Sequence, residues 1–284
     1  MRRMAAVTAV AASLVVLAPV PSGAAPAAVT VAARGAATSV PGSAVASVAA
    51  TLVVPDGLVA APSAVTASTV PAPPIPGARR YTGRIPGTVR QVIVVSSRSW
   101  RTTYGVVTLW QRWGFGWRKV AAWSARLGYG GMVLGTRRVQ STGTTPAGAY
   151  SITETFGRLA DPGTAMRYTK VTDDDWWVED RRSRYYNMMR RGSLGGFALT
   201  THGYNGSEHL RRMGAQYDYV AVINFNRPHP VIGRGAGIFL HAFGSGATGG
   251  CVSVRHDRMR ATLRWLRPNW HPWIIMGPTS WLNP

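Results

Sequence analysis

The chain has 284 residues, and its 32 Lys and Arg against 11 Asp and Glu give it a formal charge of +21 at pH 7. Its single cysteine excludes an internal disulfide bond. A charge of this size favours polyanionic partners, either nucleic acids or anionic cell-wall polymers, although arginine pairs such as Arg137 and Arg138 are explained equally well by a soluble cationic surface.

The N-terminus has the pattern of an export signal. Residues 1–3 are cationic, residues 4–20 are mostly apolar, and small residues suited to signal-peptidase cleavage surround Ala24. We therefore predict a signal peptide over residues 1–24 and secretion to the extracellular face or the cell wall. The apolar run is short for a bilayer span, so we expect no stable membrane insertion after cleavage. Export argues against nucleic acid as a partner and favours anionic cell-wall polymers.

The composition changes sharply near residue 79. Residues 25–78 are almost entirely Ala, Val, Pro, Ser, Thr and Gly, with no aromatic side chain. Such a stretch has little apolar surface to bury against the entropy of ordering it, so we predict a disordered linker. Every Trp, Tyr and Phe lies in residues 79–284, and roughly 200 residues are enough for one domain with a sizeable core.

The predicted domain is a β-rich α+β fold. Short β-branched or aromatic runs are bounded by Gly, Pro, Ser or Asn, which is typical of strands. The predicted strands are residues 91–95, 104–110, 149–153, 217–225, 237–243 and 273–277. The Trp-rich stretch 110–120 is interpreted as a hairpin that contributes aromatic side chains to the core, and the acidic stretch 173–180 as a solvated loop.

Two helices are predicted. Ser207 is a candidate N-cap for residues 208–213, and Asp257 for residues 258–266. The second segment places Met259, Leu263 and Leu266 on one face at helical spacing, and Pro268 ends it.

The stretch around Cys251 combines the groups that acyl transfer through a thioester requires. A predicted buried strand ends near His241, and a glycine-rich turn then leads to Gly249, Gly250 and Cys251. A nearby imidazole activates a thiol by removing its proton. Glycines allow close approach of a substrate, and successive backbone N–H groups form an oxyanion hole.

These residues resemble the signature of the L,D-transpeptidases, the YkuD-like enzymes that crosslink peptidoglycan. The signature has a histidine on a strand, a variable loop and then Ser/Thr-His-Gly-Cys, matched here by His241 and by TGGC at 248–251. The upstream segment TPAGAY at 145–150 matches a second family element. The resemblance spans about residues 80–284 and implies a mixed β-sandwich with short helices over the predicted catalytic domain.

The resemblance also implies a mechanism and no metal or organic cofactor. Cys251 attacks a carbonyl of a peptidoglycan stem peptide, and His241 accepts the thiol proton. Backbone N–H groups of Gly249, Gly250 and Cys251 hold the oxyanion. The carbonyl of Ala242 is the candidate group that orients the imidazole.

Three departures from the family pattern affect the substrate site. Gly249 stands where the family commonly has histidine, and the loop from His241 to the cysteine is short. Ser253 stands where a basic or amide residue is often found. Arg255, four positions after the cysteine, is therefore a candidate for the substrate-binding role. His202, in a polar loop, and His209, at the start of a predicted helix, are further candidates for lining the substrate cleft.

Alternative functions remain open. Water as the acceptor would make the protein an L,D-carboxypeptidase, and a non-catalytic cationic module could bind the cell wall through charge alone. Sortase-like and papain-like enzymes also use Cys and His, but at other spacings or in the reverse order. His241, Cys251 and His256 are suitable zinc ligands by type, yet the sequence supplies no convincing fourth ligand, so no metal is expected.

Overall fold

The structure is a computed structural model that describes residues 73–244 and 246–284. The predicted signal peptide and most of the predicted linker lie outside these residues. Ile75 and Ala78, just before the predicted domain start, are already buried in an apolar cluster with Val92 and Leu282. Within the described residues, no helix is long and apolar enough to cross a bilayer.

Strands dominate the described residues. The strands are β1 Gln91–Ser97, β2 Tyr104–Trp113, β3 Gly116–Arg126, β4 Met132–Leu134, β5 Thr145–Gly157, β6 Tyr168–Lys170, β7 Asp175–Trp177, β8 Met189–Arg191, β9 Glu208–His209, β10 Val220–Ile223, β11 Phe239–Ala242, β12 Val252–Val254 and β13 Trp273–Pro278. The α-helices are α1 His256–Trp265 and α2 Thr279–Leu282, and the 3-10 helices are Arg79–Tyr81, Gly135–Arg137, Gly192–Leu194, Leu210–Tyr217 and Pro268–Trp270. All six predicted strands are present, which confirms the β-rich fold.

The main sheet closes into a mixed barrel rather than the expected sandwich. Its strand order is β10-β11-β12-β3-β2-β1-β13-β5, and β10 also pairs with β5, so that eight strands form a ring. The pairs β1–β13 and β11–β12 are parallel, and the other pairs around the ring are antiparallel. Closure pairs strand edges that an open sheet would leave without partners.

The barrel interior is apolar, and α1 packs against it. Met259, Leu263 and Leu266 are fully buried in this core, which confirms the predicted apolar stripe. The helix begins at His256, and its N-cap makes no side-chain hydrogen bond. The predicted cap is therefore wrong: Asp257 lies within the first turn, where its negative charge favours the helix dipole.

A second layer covers the outer face of the barrel at β11. It consists of the antiparallel sheet β8-β7-β9 and the 3-10 helix Leu210–Tyr217. The predicted helix over residues 208–213 is confirmed only in part, because β9 occupies its first two positions and residues 210–213 begin the 3-10 helix Leu210–Tyr217. Ser207 does not cap a helix; its hydroxyl accepts a hydrogen bond from the Glu179 N–H at 3.1 Å. The strand predicted over 217–225 is shorter because Tyr217 ends the 3-10 helix.

The predicted hairpin over residues 110–120 is confirmed as the turn between β2 and β3. Its tip does not reach the core, since Trp113 is 63% exposed and Phe115 is 90% exposed. The stretch 173–180 is not a solvated loop throughout. Trp176 and Trp177 lie in β7 and are buried, and Glu179, two residues further on, lines the same cavity as Cys251.

Candidate active site

Cys251 and His241 line the same cavity, which has a volume of about 370 Å³. Strands β11 and β12 run parallel, with His241 opposite Ser253 and Leu240 opposite Val252. Leu240 and Val252 face the barrel core. Because side chains alternate along a strand, Cys251 and His241 project together from the outer face, beneath the second layer.

The Cys251 side chain is buried, at 6% exposure. Its Sγ accepts a hydrogen bond from the Phe239 N–H at 3.3 Å and donates one to the Gly237 carbonyl oxygen at 3.3 Å. Burial raises the pKa of the thiol strongly, and the nearby carboxyl of Glu208 adds to this effect. The Phe239 N–H and the Arg138 charge act in the opposite direction. The resting group is therefore a thiol that needs activation.

The His241 imidazole is 4% exposed and is held by the backbone. Its Nδ1 lies 2.6 Å from the Ala242 carbonyl oxygen, the group expected to orient it. Burial lowers the pKa of His241 to about 4, although hydrogen bonds to the backbone of Ala242 and Gln216 partly oppose this. The ring is therefore neutral at pH 7 and able to accept a proton.

The glycine turn before Cys251 is braced by threonine hydroxyls. Thr248 Oγ1 donates to the Cys251 carbonyl oxygen at 2.7 Å and accepts from the Gly250 N–H at 3.2 Å. Thr145 Oγ1 donates to the same Cys251 carbonyl at 3.2 Å, so the family-like segment 145–150 supports the cysteine directly. Gly250 has a φ of +130°, whereas Gly249 is exposed at the cavity wall.

Two carboxyl groups that the sequence did not single out as site residues also line the cavity. Glu208 Oε2 accepts a hydrogen bond from the Tyr217 hydroxyl at 2.7 Å, and the Tyr217 ring lies 5.4 Å from the His241 ring. Burial raises the pKa of Glu208 to about 7. Burial and the nearby Glu208 raise the pKa of Glu179 well above its usual value. Their only sequence signal is the scarcity of acidic residues.

Arg138 is a third group that the sequence did not assign to the site. It lines the cavity and is only 5% exposed, so it does not belong to the cationic surface expected for the arginine pairs. Its neighbour Arg137 is exposed, in agreement with that expectation.

The other candidate residues lie away from the cavity lining. Arg255 is exposed and pairs with Asp257 at 3.2 Å. His202 is exposed and bonds Thr201 at 3.0 Å. His209 is buried, with its ring 4.6 Å from that of Trp176.

The groups considered as zinc ligands do not converge in the structure. His256 Nε2 lies 3.2 Å from Asp218 Oδ2, and His256 does not belong to the cavity lining that contains Cys251. Across residues 73–244 and 246–284, no group of three or more His, Cys, Asp or Glu is placed to hold a metal ion.

Comparison with known proteins identifies the family. The model of the YkuD family, the L,D-transpeptidase catalytic domain, matches residues 90–275. A search of curated proteins found no match. Among solved structures, that of Bdellovibrio bacteriovorus Bd1075 is similar at 16% identity and a TM-score of 0.34, over 66% of this chain and 48% of that chain. The chain thus spans about half the length of that protein. Because the family model matches well over half of the present sequence, the chain belongs to the YkuD family of L,D-transpeptidase catalytic domains.

Proposed function

We propose that the protein is a cysteine-dependent acyltransferase that crosslinks peptidoglycan stem peptides. The observation that carries this proposal is the shared cavity of Cys251 and His241 in a chain of the YkuD family. Cys251 is the nucleophile and His241 the general base. The predicted export signal and the charge of +21 fit an enzyme at the extracellular face or in the cell wall.

The first half-reaction forms a thioester. His241 takes the thiol proton, and the Cys251 sulfur bonds to the carbonyl carbon that precedes the terminal D-alanine of a donor tetrapeptide. The C–N bond then breaks, and the imidazolium gives its proton to the leaving amine. In the second half-reaction an acceptor amine attacks the thioester, loses a proton to His241 and releases the thiol.

The oxyanion of each tetrahedral intermediate needs donors that are already in place. We assign this role to the backbone N–H groups of Gly249, Gly250 and Cys251. Gly249 lines the cavity without a side chain, so the missing family histidine leaves its N–H in place. To bind the oxyanion, the Gly250 N–H must give up its hydrogen bond to the Thr248 hydroxyl.

An adjoining cavity of about 570 Å³ supports a two-substrate reaction. It shares several lining residues with the cavity at Cys251, including Gln140, Glu179 and Glu208. A donor bound at Cys251 therefore leaves connected space for an acceptor stem. Hydrolysis, which would make the enzyme an L,D-carboxypeptidase, needs no such space.

The test is to incubate the purified full chain with disaccharide-tetrapeptide and to identify the products by mass spectrometry. We expect released D-alanine and a crosslinked dimer with the wild type, and neither with Cys251→Ala. D-Alanine and a tripeptide without a dimer would support the carboxypeptidase alternative. Equal binding of cell-wall sacculi by both chains with no product from either would overturn the enzyme proposal and favour the wall-binding module.

A further inference from the structure

Arg138 is a buried cation beside the cysteine. Its Nε donates to the Thr144 carbonyl oxygen at 2.7 Å, and Nη1 donates to the Arg234 carbonyl oxygen at 3.1 Å. The guanidinium also lies 5.6 Å from the centre of the Phe225 ring. Within the described part of the chain, no carboxylate lies within salt-bridge distance of it.

A buried guanidinium without a salt bridge costs free energy, because a charge leaves water without gaining an opposite charge. The third nitrogen of the guanidinium, Nη2, lies 2.8 Å from the position that a Cβ on Gly250 would occupy. The guanidinium thus packs against the backbone that immediately precedes Cys251, and it lines the same cavity.

No other side chain of the described cavity lining supplies a permanent positive charge. His241 is the second basic residue of that lining, and burial keeps it neutral at pH 7. Ser253, which occupies the position of the family's basic or amide residue, is fully buried and uncharged. An arginine, in contrast, stays protonated throughout the accessible pH range.

We propose that Arg138 provides the positive charge that stabilises the Cys251 thiolate. This inference rests on the proposed function in taking Cys251 as the nucleophile. Arg138 acts from the loop between β4 and β5 and need not touch the substrate. It raises the thiolate fraction available for attack, while His241 remains the group that accepts the proton.

Other titratable groups lie around Arg138 and Cys251 and influence how readily the thiol ionises. Glu179, Tyr186 and Tyr150 face Arg138, and Glu179, Glu208 and Tyr217 face Cys251. Burial raises the pKa of all three tyrosines above the usual 10, so they stay neutral below that pH. Burial raises the pKa of Glu208 to about 7 and that of Glu179 well above its usual value, and ionisation of either carboxyl group opposes formation of the thiolate.

The experiment is to measure the rate of alkylation of Cys251 by iodoacetamide from pH 5 to pH 10. The chain has one cysteine, so every adduct reports that thiol. The purified full chain is compared with Arg138→Gln, which removes the charge, and with Arg138→Lys, which keeps it. Arg137→Gln is the matched control, because it makes the same change at the adjacent exposed arginine.

We expect Arg138→Gln to raise the apparent pKa of the thiol and to slow alkylation at pH 7 by about tenfold for each unit of that shift. Arg138→Lys should recover most of the rate, and Arg137→Gln should match the wild type. An unchanged pH profile in a folded Arg138→Gln chain would overturn the proposal, as would a profile for Arg138→Lys identical to that of Arg138→Gln.

If Arg138→Gln does not fold, Arg138→Lys decides the question. It keeps a positive charge at this position, so its alkylation profile should follow that of the wild type; alkylation slowed about tenfold or more at pH 7 would overturn the proposal. The assay uses no stem peptide. If Arg138→Gln shifts the alkylation profile as expected but the wild type releases no D-alanine, the proposed function is rejected and the role of Arg138 stands.

Discussion

The Nδ1 atom of His241 lies 2.6 Å from the carbonyl oxygen of the next residue, Ala242. Because a carbonyl oxygen only accepts hydrogen bonds, Nδ1 carries the proton of the neutral ring, and in the proposed mechanism Nε2 is the atom that accepts a proton from the thiol. In that mechanism the backbone takes the orienting role that an acid or amide side chain performs in many catalytic triads.

Replacing the proposed general base, His241, should slow the reaction. We expect His241→Gln to reduce D-alanine release by about 10²-fold to 10⁴-fold, the usual contribution of a general base. The measurement is the initial rate with disaccharide-tetrapeptide. His229→Gln, an exposed histidine outside the cavity at Cys251, should keep the wild-type rate. A loss of less than about threefold in His241→Gln would contradict the assignment.

The two glycines before the cysteine should respond differently to the same change. Gly250 has a φ of +130°, and a Cβ there would lie 2.8 Å from the Thr144 carbonyl oxygen, whereas a Cβ at Gly249 meets nothing within 4 Å. We expect Gly250→Ala to destabilise the fold by about 1–3 kcal/mol and to reduce activity. Gly249→Ala should keep its stability in urea denaturation. Equal losses of stability in the two variants would contradict this account.

Thr145 should stabilise the site through two buried hydrogen bonds. Its hydroxyl accepts from the Gly128 N–H at 2.8 Å and donates to the Cys251 carbonyl oxygen at 3.2 Å. Thr145→Val keeps the shape and removes both bonds, so it should lower the free energy of unfolding by about 1–3 kcal/mol. Thr136→Val, at an exposed position, is the control. Denaturation curves that coincide for the two variants would refute the assigned bonds.

The stability of Glu208→Gln relative to the wild type should depend on pH. Burial raises the pKa of Glu208 from 4.5 to about 7, so between these values the folded chain holds a proton that the unfolded chain has lost. The contribution of Glu208 to the stability of the folded chain is therefore fully present below pH 4.5 and is lost as the pH rises through 7. The difference in unfolding free energy, variant minus wild type, should therefore increase by up to about 3 kcal/mol across this window.

The measurement for Glu208 is urea denaturation at pH 5 and at pH 8. The low pKa of His241 affects both chains equally and cancels in the difference. Glu154→Gln, which changes a carboxyl outside the cavity, should show no comparable increase. A difference for Glu208→Gln that stays constant with pH would show that the carboxyl does not titrate in this window.

Much of the fold was accessible from local sequence patterns. Runs of β-branched residues predicted the six strands, and the spacing of Met259, Leu263 and Leu266 predicted the buried face of α1. The capping predictions failed at Ser207 and Asp257. The Ser207 hydroxyl bonds the Glu179 N–H, because a hydroxyl also bonds other backbone groups when the fold brings them near, and the Asp257 carboxylate pairs with the side chains of Arg255 and Arg258. Closure of the barrel was not predictable, since pairing of β10 with β5 joins segments more than 60 residues apart.

The sequence by itself determined the candidate pair, because His241, the glycine turn and Cys251 lie within eleven residues. Tertiary structure alone decided the electrostatics of the site. Arg138, Glu179 and Glu208 come from three distant loops or strands, and only the barrel and its covering layer bring them to one cavity. Arg138 was expected on a cationic surface, but it is buried at this cavity. Because a charge removed from water acts more strongly on its neighbours, Arg138 becomes a candidate for thiol activation.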